Sequence, residues 1–250
     1  MAQTDQQRDK MRIAKYLAHA GVASRREAER MIAAGRISVD GVVLQGPAVL
    51  VSGDEDIRVD GERVGAPPGP RLWRYHKPAG LITSHHDEKG RATVFERLPD
   101  ALPRVISVGR LDLNSEGLLL LTNDGALARA LELPKTGWTR RYRVRAFGRT
   151  SQERLERLQH GVMLDGRRSG PIAAKLDSVK GGNVWIDVRL KEGKNREVRR
   201  ALETLGLKVN RLIRLSYGPF ILGNLGRGAL AEVTPKQMRE QLGALLRSAG

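Results

Sequence analysis

Apolar positions recur along this chain with two spacings, and the changes between them mark its elements. Ile13, Ala14, Leu17 and Ala18 share one face of a helix that Gly21 ends. Ser24, with Glu27 three residues later, has the form of a capping box. A second helix is therefore predicted, burying Ala28, Met31 and Ile32 and stopping near Gly35. Two short strands flank Asp40-Gly41, a hairpin turn signal, and a strand holding Ile57 and Val59 leads into Asp60-Gly61. Gly65-Ala66-Pro67-Pro68-Gly69-Pro70 supports neither helix nor ladder. The expected division is a disordered tail over 1–9, a compact ααβ module over 10–64, a linker over 65–71 and a second domain over 72–250.

In the second domain, Leu72, Trp73 and Tyr75 begin a strand, and Val105, Ile106 and Val108 read as another. Leu118 to Leu121 is a compact apolar run whose length and flanks, Gly117 and Asn123-Asp124-Gly125, favour a strand. Gly125 opens a helix with Ala126, Leu127 and Ala130 inward, ending before Pro134. From Arg140 to Phe147 the alternation is strict: Tyr142, Val144 and Ala146 face one way, Arg141, Arg143 and Arg145 the other. Three arginines on one sheet face repel each other unless an anion lies against them. A helix from about Ser151 to His160 is predicted with Thr150 and Glu153 as its capping box, and Val184, Ile186 and Val188 form a further strand opposite Trp185 and Asp187. Asn195 is a good N-cap for a helix that buries Val198, Leu202 and Leu205, sets Arg196, Arg199 and Arg200 on its other face and stops at Gly206. Thr234-Pro235 caps a last helix to about Leu246. Helices and strands mixed in this order predict an α+β protein.

Composition narrows the chemistry. The 250 residues include no cysteine, which excludes cysteine-ligated zinc, thiol nucleophiles and disulfides and suits a reducing compartment. Met1 to Lys10 is polar and no apolar run reaches the length of a membrane span, so neither a signal peptide nor a membrane partner is expected, and the cytoplasm is the expected location. The formal charge is +16 and is unevenly spread. Residues 1–70 carry 10 basic and 10 acidic side chains; residues 71–250 carry 34 and 18. Within the first module, 1–36 holds 8 basic against 4 acidic, and 37–70 holds 2 against 6. A chain so charged binds polyanions, above all nucleic acid. No helix-turn-helix or zinc-finger pattern points to DNA. His85-His86-Asp87 does not predict a metal site, because adjacent loop residues converge poorly on one ion and no further ligand is in view.

One acid stands between two apolar segments: Asp112, in the loop that precedes the Leu118 run. It reads as a turn aspartate, as the start of a calcium loop, or as a catalytic group. The calcium reading fails at the twelfth position, where Asn123 replaces the bidentate glutamate. The whole stretch, Gly109-Arg110-Leu111-Asp112-Leu113-Asn114-Ser115-Glu116-Gly117 followed by four leucines and Thr122-Asn123, resembles the signature of the RsuA/RluB family of ribosomal RNA pseudouridine synthases. His76-Lys77-Pro78-Ala79-Gly80 is similar to a family segment beside the active site, and Tyr142 sits in a similar [KR]-x-Y-x-V context. Glu192-Gly193-Lys194-Asn195-Arg196-Glu197-Val198-Arg199-Arg200 resembles a third family motif, with Glu197 where glutamine is commoner. Gly161 to Ala173 resembles a family hairpin, and Arg211, Arg214 and Tyr217-Gly218-Pro219 continue the pattern. Residues 15–41, with Lys15, Arg25, Arg26, Glu27, Gly35, Arg36 and Asp40-Gly41, resemble an S-four-type RNA-binding domain.

The resemblance implies a pseudouridine-synthase domain: a mixed, mainly antiparallel sheet flanked by helices and loops around a central cleft. It implies Asp112 as the catalytic carboxylate, Tyr142 stacked on the target base, and Arg199 as the basic partner of the carboxylate. Arg110, Lys77, Arg196 and Arg200 become substrate-binding candidates. Lys15, Arg25, Arg26, Arg36, Arg141 and Arg143 become RNA-backbone candidates, helped for Arg25 and Arg26 by the free N–H groups of a helix N-terminus. The reaction neither gains nor loses atoms, so no cofactor or metal is expected. The expected partner is ribosomal RNA, of the large subunit from the look of the Asp112 stretch, and the expected state is a monomer. A small-subunit target and a non-catalytic RNA-binding or ribosome-assembly role are the alternatives. Attack of the carboxylate on the anomeric carbon and removal of the neighbouring ribose proton both remain open.

Overall fold

A computed structural model describes residues 10–247. The tail expected over 1–9 lies outside them. The chain divides into two compact units, the first ending at Pro70, with the short segments 102–105 and 123–125 grouped with it.

In the first unit, α1 (Ile13–His19) and α2 (Arg25–Ala33) pack on a small sheet. Its strands run in the order β3 (Val42–Val43), β2 (Ile37–Val39), β5 (Ile57–Val59), β6 (Glu62–Arg63), while β1 (Met11–Arg12) pairs separately with β4 (Leu50–Val51). The Ser24 hydroxyl accepts the Glu27 N–H at 3.1 Å, as a helix cap should. The Glu27 carboxylate does not complete the expected box; it pairs with Arg30 at 2.9 Å. Both hairpins turn through Asp-Gly with φ of 49° and 80° at Asp40-Gly41 and 52° and 84° at Asp60-Gly61. Only residues tolerant of the left-handed region make such turns. Ile13, Leu17, Ala28, Ile32, Ile37 and Ile57 form the core.

The second unit is built on a nine-stranded sheet. Along it lie β13 (Ile172–Lys180), β14 (Asn183–Leu190), β10 (Arg140–Phe147), β15 (Lys208–Tyr217), β9 (Ser115–Thr122), β7 (Leu72–Lys77) and β17 (Leu230–Glu232). Short β8 (Ile106–Val108) joins β9 and β16 (Phe220–Ile221) joins β15. Every pairing is antiparallel except β9 with β15. The sheet is therefore mixed and mainly antiparallel, as expected. Helices α4 (Gln152–Glu156) and α5 (Glu197–Glu203) cover Val144, Ala146, Ile186 and Val188. Helices α3 (Gly125–Glu132) and α6 (Pro235–Arg247) cover Leu72, Leu118 and Leu120. A small hairpin, β11 (Met163–Leu164) and β12 (Arg167–Arg168), turns at Asp165-Gly166.

Two expectations shift, and one strand was not foreseen. The buried face of α3 is Leu127, Ala128 and Leu131 rather than Ala126 and Ala130, because the bulkier pair of leucines governs which side is buried. The cap of α4 is Ser151, which accepts the Arg154 N–H at 3.4 Å, in place of Thr150, and the helix tightens into a 3-10 turn over Arg157–His160. Strand β13, at the sheet edge, was hidden in sequence by its polar second half.

Candidate active site

The Asp112 loop is short and heavily braced. Gly109 donates its N–H to Glu132 at 2.6 Å, and the Thr83 hydroxyl donates to the Leu111 carbonyl at 2.8 Å. The Gly80 N–H meets the Leu113 carbonyl at 2.8 Å. Two buried cations hold the remainder. The amine of Lys77 donates to the carbonyls of Asp112 at 3.1 Å and Ser115 at 2.9 Å, and the guanidinium of Arg199 donates to that of Asn114 at 2.9 Å. Pinned this way, a loop keeps its side chains in fixed directions.

Directly beyond it, Gly117 has a φ of +102°, and a Cβ there would stand 2.3 Å from the Arg214 carbonyl oxygen. Gly117 is paired in parallel with Arg214, so only glycine lets β9 and β15 meet beside the loop.

Asp112 and exposed Arg110 line a cavity of about 730 Å³, a volume typical of small-molecule sites. Half-buried Tyr142 lines it from β10, and Arg214 and Tyr217 line it from β15. Residues 192–197 make another wall. The expected Asp112, Tyr142, Arg110 and Arg196 thus share one cavity.

Others lie elsewhere. Lys77 was expected to touch substrate, but it is fully buried and its amine is spent on main-chain carbonyls. Burial pushes its amine down to about 8, against the pull of Asp112 and Glu116. Arg196, Arg199 and Arg200 do not share an exposed face. The helix starts after Arg196, itself in the left-handed region at φ 49°, so Asn195 is not its cap. Arg199 lies three residues before buried Leu202, on the flank of the buried face, and is itself buried. It bonds the Val209 carbonyl at 3.0 Å besides that of Asn114 and does not line the cavity. Burial and the Arg196 charge lower its pKa, whereas the charge of Asp112 raises it. Arg200 pairs with Asp165 away from the cavity.

Of the RNA-backbone candidates, Arg25 and Arg26 are exposed at the first turn of α2, and Lys15 is half-buried on α1. Arg36 forms a bidentate pair with Asp60 through Nε, at 2.8 Å, and Nη2, which lowers the carboxyl pKa of Asp60. The anions expected against the arginines of β10 come partly from the protein. Arg141 pairs with Asp187 at 2.6 Å, and Arg143 pairs with Asp177 at 2.9 Å while lying 4.9 Å over the Trp185 ring. Among the described residues no three His, Cys, Asp or Glu side chains converge as metal ligands. His85 instead stacks on Phe95 at 3.5 Å, and Asp87 is taken by Arg91.

Several residues of the site had been given no role in the sequence, Arg214 among them although it continues the family pattern. Arg214 is buried, donates to the Leu118 carbonyl at 2.7 Å and keeps a buried Nη2 without a hydrogen-bond partner. Its signal was an arginine on the same inward alternation as Leu212. Arg140 lines the cavity, bonded to the Tyr217 hydroxyl at 2.9 Å; Glu132 lines it too and accepts the Gly109 N–H, and Thr83 acts through the loop backbone, which no pattern announces.

The site offers a fixed carboxylate, a phenol ring, cations and room for a nucleoside. Comparison with known proteins gives this arrangement a setting. Residues 71–204 match the family described as RNA pseudouridylate synthase, and residues 11–57 match the S4 domain. An uncharacterized RNA pseudouridine synthase of Rickettsia felis is 49% identical over 225 residues, 90% of this chain and 97% of that one. The ribosomal large subunit pseudouridine synthase B of Pasteurella multocida is 44% identical over 232 residues, 89% of this chain and 66% of that one. A solved pseudouridylate synthase superposes with a TM-score of 0.64 at 25% identity, over 93% of this chain and 99% of that one.

Proposed function

The chain belongs to the RNA pseudouridylate synthase family, and on that premise we propose that it converts a uridine of large-subunit ribosomal RNA to pseudouridine at Asp112. One observation carries the assignment of the site: the Asp112 carboxylate stands on a loop fixed from several sides and lines, with Tyr142, a cavity of about 730 Å³.

The reaction breaks the bond between ribose C1′ and uracil N1, turns the base and rejoins it through C5; the C5 proton leaves and N1 gains one. Asp112 either attacks C1′ or removes the adjacent C2′ proton. Tyr142 stacks on the uracil and assists loss of the C5 proton. Arg110 fills the space left by the flipped nucleotide, since a base must leave its stack to be modified. Arg199 acts on Asp112 through its charge and through the Asn114 carbonyl, and Arg196 lies on the cavity wall within reach of phosphate. The first unit docks on RNA backbone through Arg25 and Arg26. The protein acts as a cytoplasmic monomer. The large-subunit target rests on the Pasteurella multocida relative.

Pseudouridine mapping in ribosomal RNA from cells lacking the protein tests this reading. One large-subunit position is expected to revert to uridine and to be restored by the wild-type gene. An unchanged large-subunit map would contradict the proposed target.

A further inference from the structure

The wall formed by residues 192–197 carries two carboxyl groups, Glu192 and Glu197. Both line the cavity and meet at Lys194, whose amine lies 2.9 Å from Glu192 Oε2 and whose N–H donates to Glu197 Oε2. Two ionised carboxylates on one short turn repel each other, which favours a proton on one of them. The surroundings say which. Glu192 Oε2 accepts the Gly170 N–H at 2.9 Å and lies 2.9 Å from the Lys194 amine, both of which favour its ionised form. Glu197 is 3% exposed. Its Oε2 accepts the Lys194 N–H at 3.0 Å, and its Oε1 is buried with no hydrogen-bond partner.

We propose that Glu197 is a positioning residue: its Oε1 holds a proton shared with Glu192, and that proton keeps the 192–197 wall and the start of α5 in the form that accepts RNA. This rests on the function proposed above. The three contacts made by these carboxyl groups brace the turn that leads into α5. Within it Arg196 adopts a backbone conformation, φ 49°, that a non-glycine residue keeps only when its surroundings impose it. Arg196 lines the cavity, and three residues on, Arg199 grips the carbonyl of Asn114 on the Asp112 loop. The carboxyl pair therefore acts on both sides of the site through one short helix.

Burial pushes the Glu197 carboxyl up to about 7, with the Glu192 charge adding to it and the Lys194 N–H opposing. The other charged groups around the turn are the Lys194 amine, Arg196 and Arg200 on the same segment, and Arg140, which reaches in beside Gly193 from β10. From the β12 side, Gly170 offers its N–H, and the Arg168 carbonyl takes the Lys194 amine. Because the folded pKa lies above the ordinary 4.5, the contribution is complete at acid pH and is lost as pH rises through about 7. Ionised Glu197 then faces ionised Glu192, and the turn opens. A glutamine at 197 donates the same bond at every pH.

The test combines two measurements on the full-length protein. Carbon-13 NMR of glutamate-labelled wild type follows the Glu197 carboxyl against pH, with E197Q assigning the signal and E192Q removing the partner. Pseudouridine formation on large-subunit ribosomal RNA is followed from pH 6 to 8.5 in wild type and E197Q. The expected results are a Glu197 midpoint near neutrality that falls in E192Q, and wild-type turnover dropping on the order of tenfold between pH 7 and 8.5, a drop that E197Q lacks. A Glu197 midpoint in the ordinary carboxylate range, or an E197Q profile with the same alkaline fall as wild type, overturns the proposal. Absence of wild-type turnover at every pH contradicts the function proposed above, and the carboxyl titration alone then decides on the shared proton.

Discussion

The amine of Lys77 donates to the carbonyl oxygen of Asp112 at 3.1 Å, tying the buried end of β7 to the loop that presents the carboxylate to the cavity. The same amine serves the carbonyls of Pro78 at 3.1 Å and Ser115 at 2.9 Å. K77A leaves these buried acceptors without a donor. Urea denaturation is expected to report a loss of about 3 kcal/mol, the scale of a buried polar group stripped of its partner. Turnover should fall with it as the loop loosens; equal stability in K77A would mean that the loop is held by other contacts.

Gly117 supplies a second prediction. An alanine methyl would meet the Arg214 carbonyl at 2.3 Å in a backbone conformation already unfavourable to side chains. G117A is expected to cost about 3–4 kcal/mol, measured by thermal or chemical unfolding. A near-neutral effect would show that β9 and β15 can part at this point without loss.

Glu116 next to it gives a pH dependence of opposite sign to that of Glu197. Its carboxylate accepts two bonds from Arg211, at 2.8 and 3.0 Å, and lies 3.3 Å from Arg227. The Arg211 bonds, ahead of the burial that opposes them, hold its pKa below the ordinary 4.5. The ion pair therefore contributes fully above pH 4.5 and is lost as pH falls through the lower folded value. Melting curves between pH 3 and 7 should show a shallower acid decline in E116Q than in wild type, and superimposable declines would contradict this.

RNA affinity should separate two classes of arginine. Arg25 and Arg26 are exposed at a helix N-terminus, and removal of either is expected to reduce the log–log salt slope of RNA binding by about 0.7–0.9 per phosphate contact. Arg141 and Arg143 are already paired with Asp187 and Asp177, so their removal should change the slope less. Binding isotherms for R25A and R141A across a salt series check the order; the reverse order would move the RNA track to the sheet face.

Much of this was legible in the residues. Alternation along β10 assigned Tyr142 inward and Arg141 outward correctly, because a strand with one covered face leaves no freedom of register. The two Asp-Gly pairs announced their hairpins, since few other residues accept those angles. The loop position of Asp112 followed from the apolar runs around it. What escaped was decided by tertiary context. Lys77 ends a six-residue strand, and its sequence does not reveal that four carbonyls turn toward its amine. Arg199 was set on the face opposite Val198 and Leu202, yet three residues before Leu202 it stands on the flank of the buried face, where it can reach the Asn114 and Val209 carbonyls. The acid pair at Glu192 and Glu197 is five positions apart across one irregular turn, beyond any periodic rule.

The central claim concerns the carboxylate of Asp112, and D112N tests it most directly, because the loop is held by backbone carbonyls and N–H groups that the substitution leaves in place. Purified D112N and wild type are to be compared on large-subunit ribosomal RNA for pseudouridine formed, with melting temperature and RNA affinity measured alongside. The account predicts wild-type folding and binding with no pseudouridine above the enzyme-free background. Pseudouridine formed by D112N at a rate near that of wild type would contradict it.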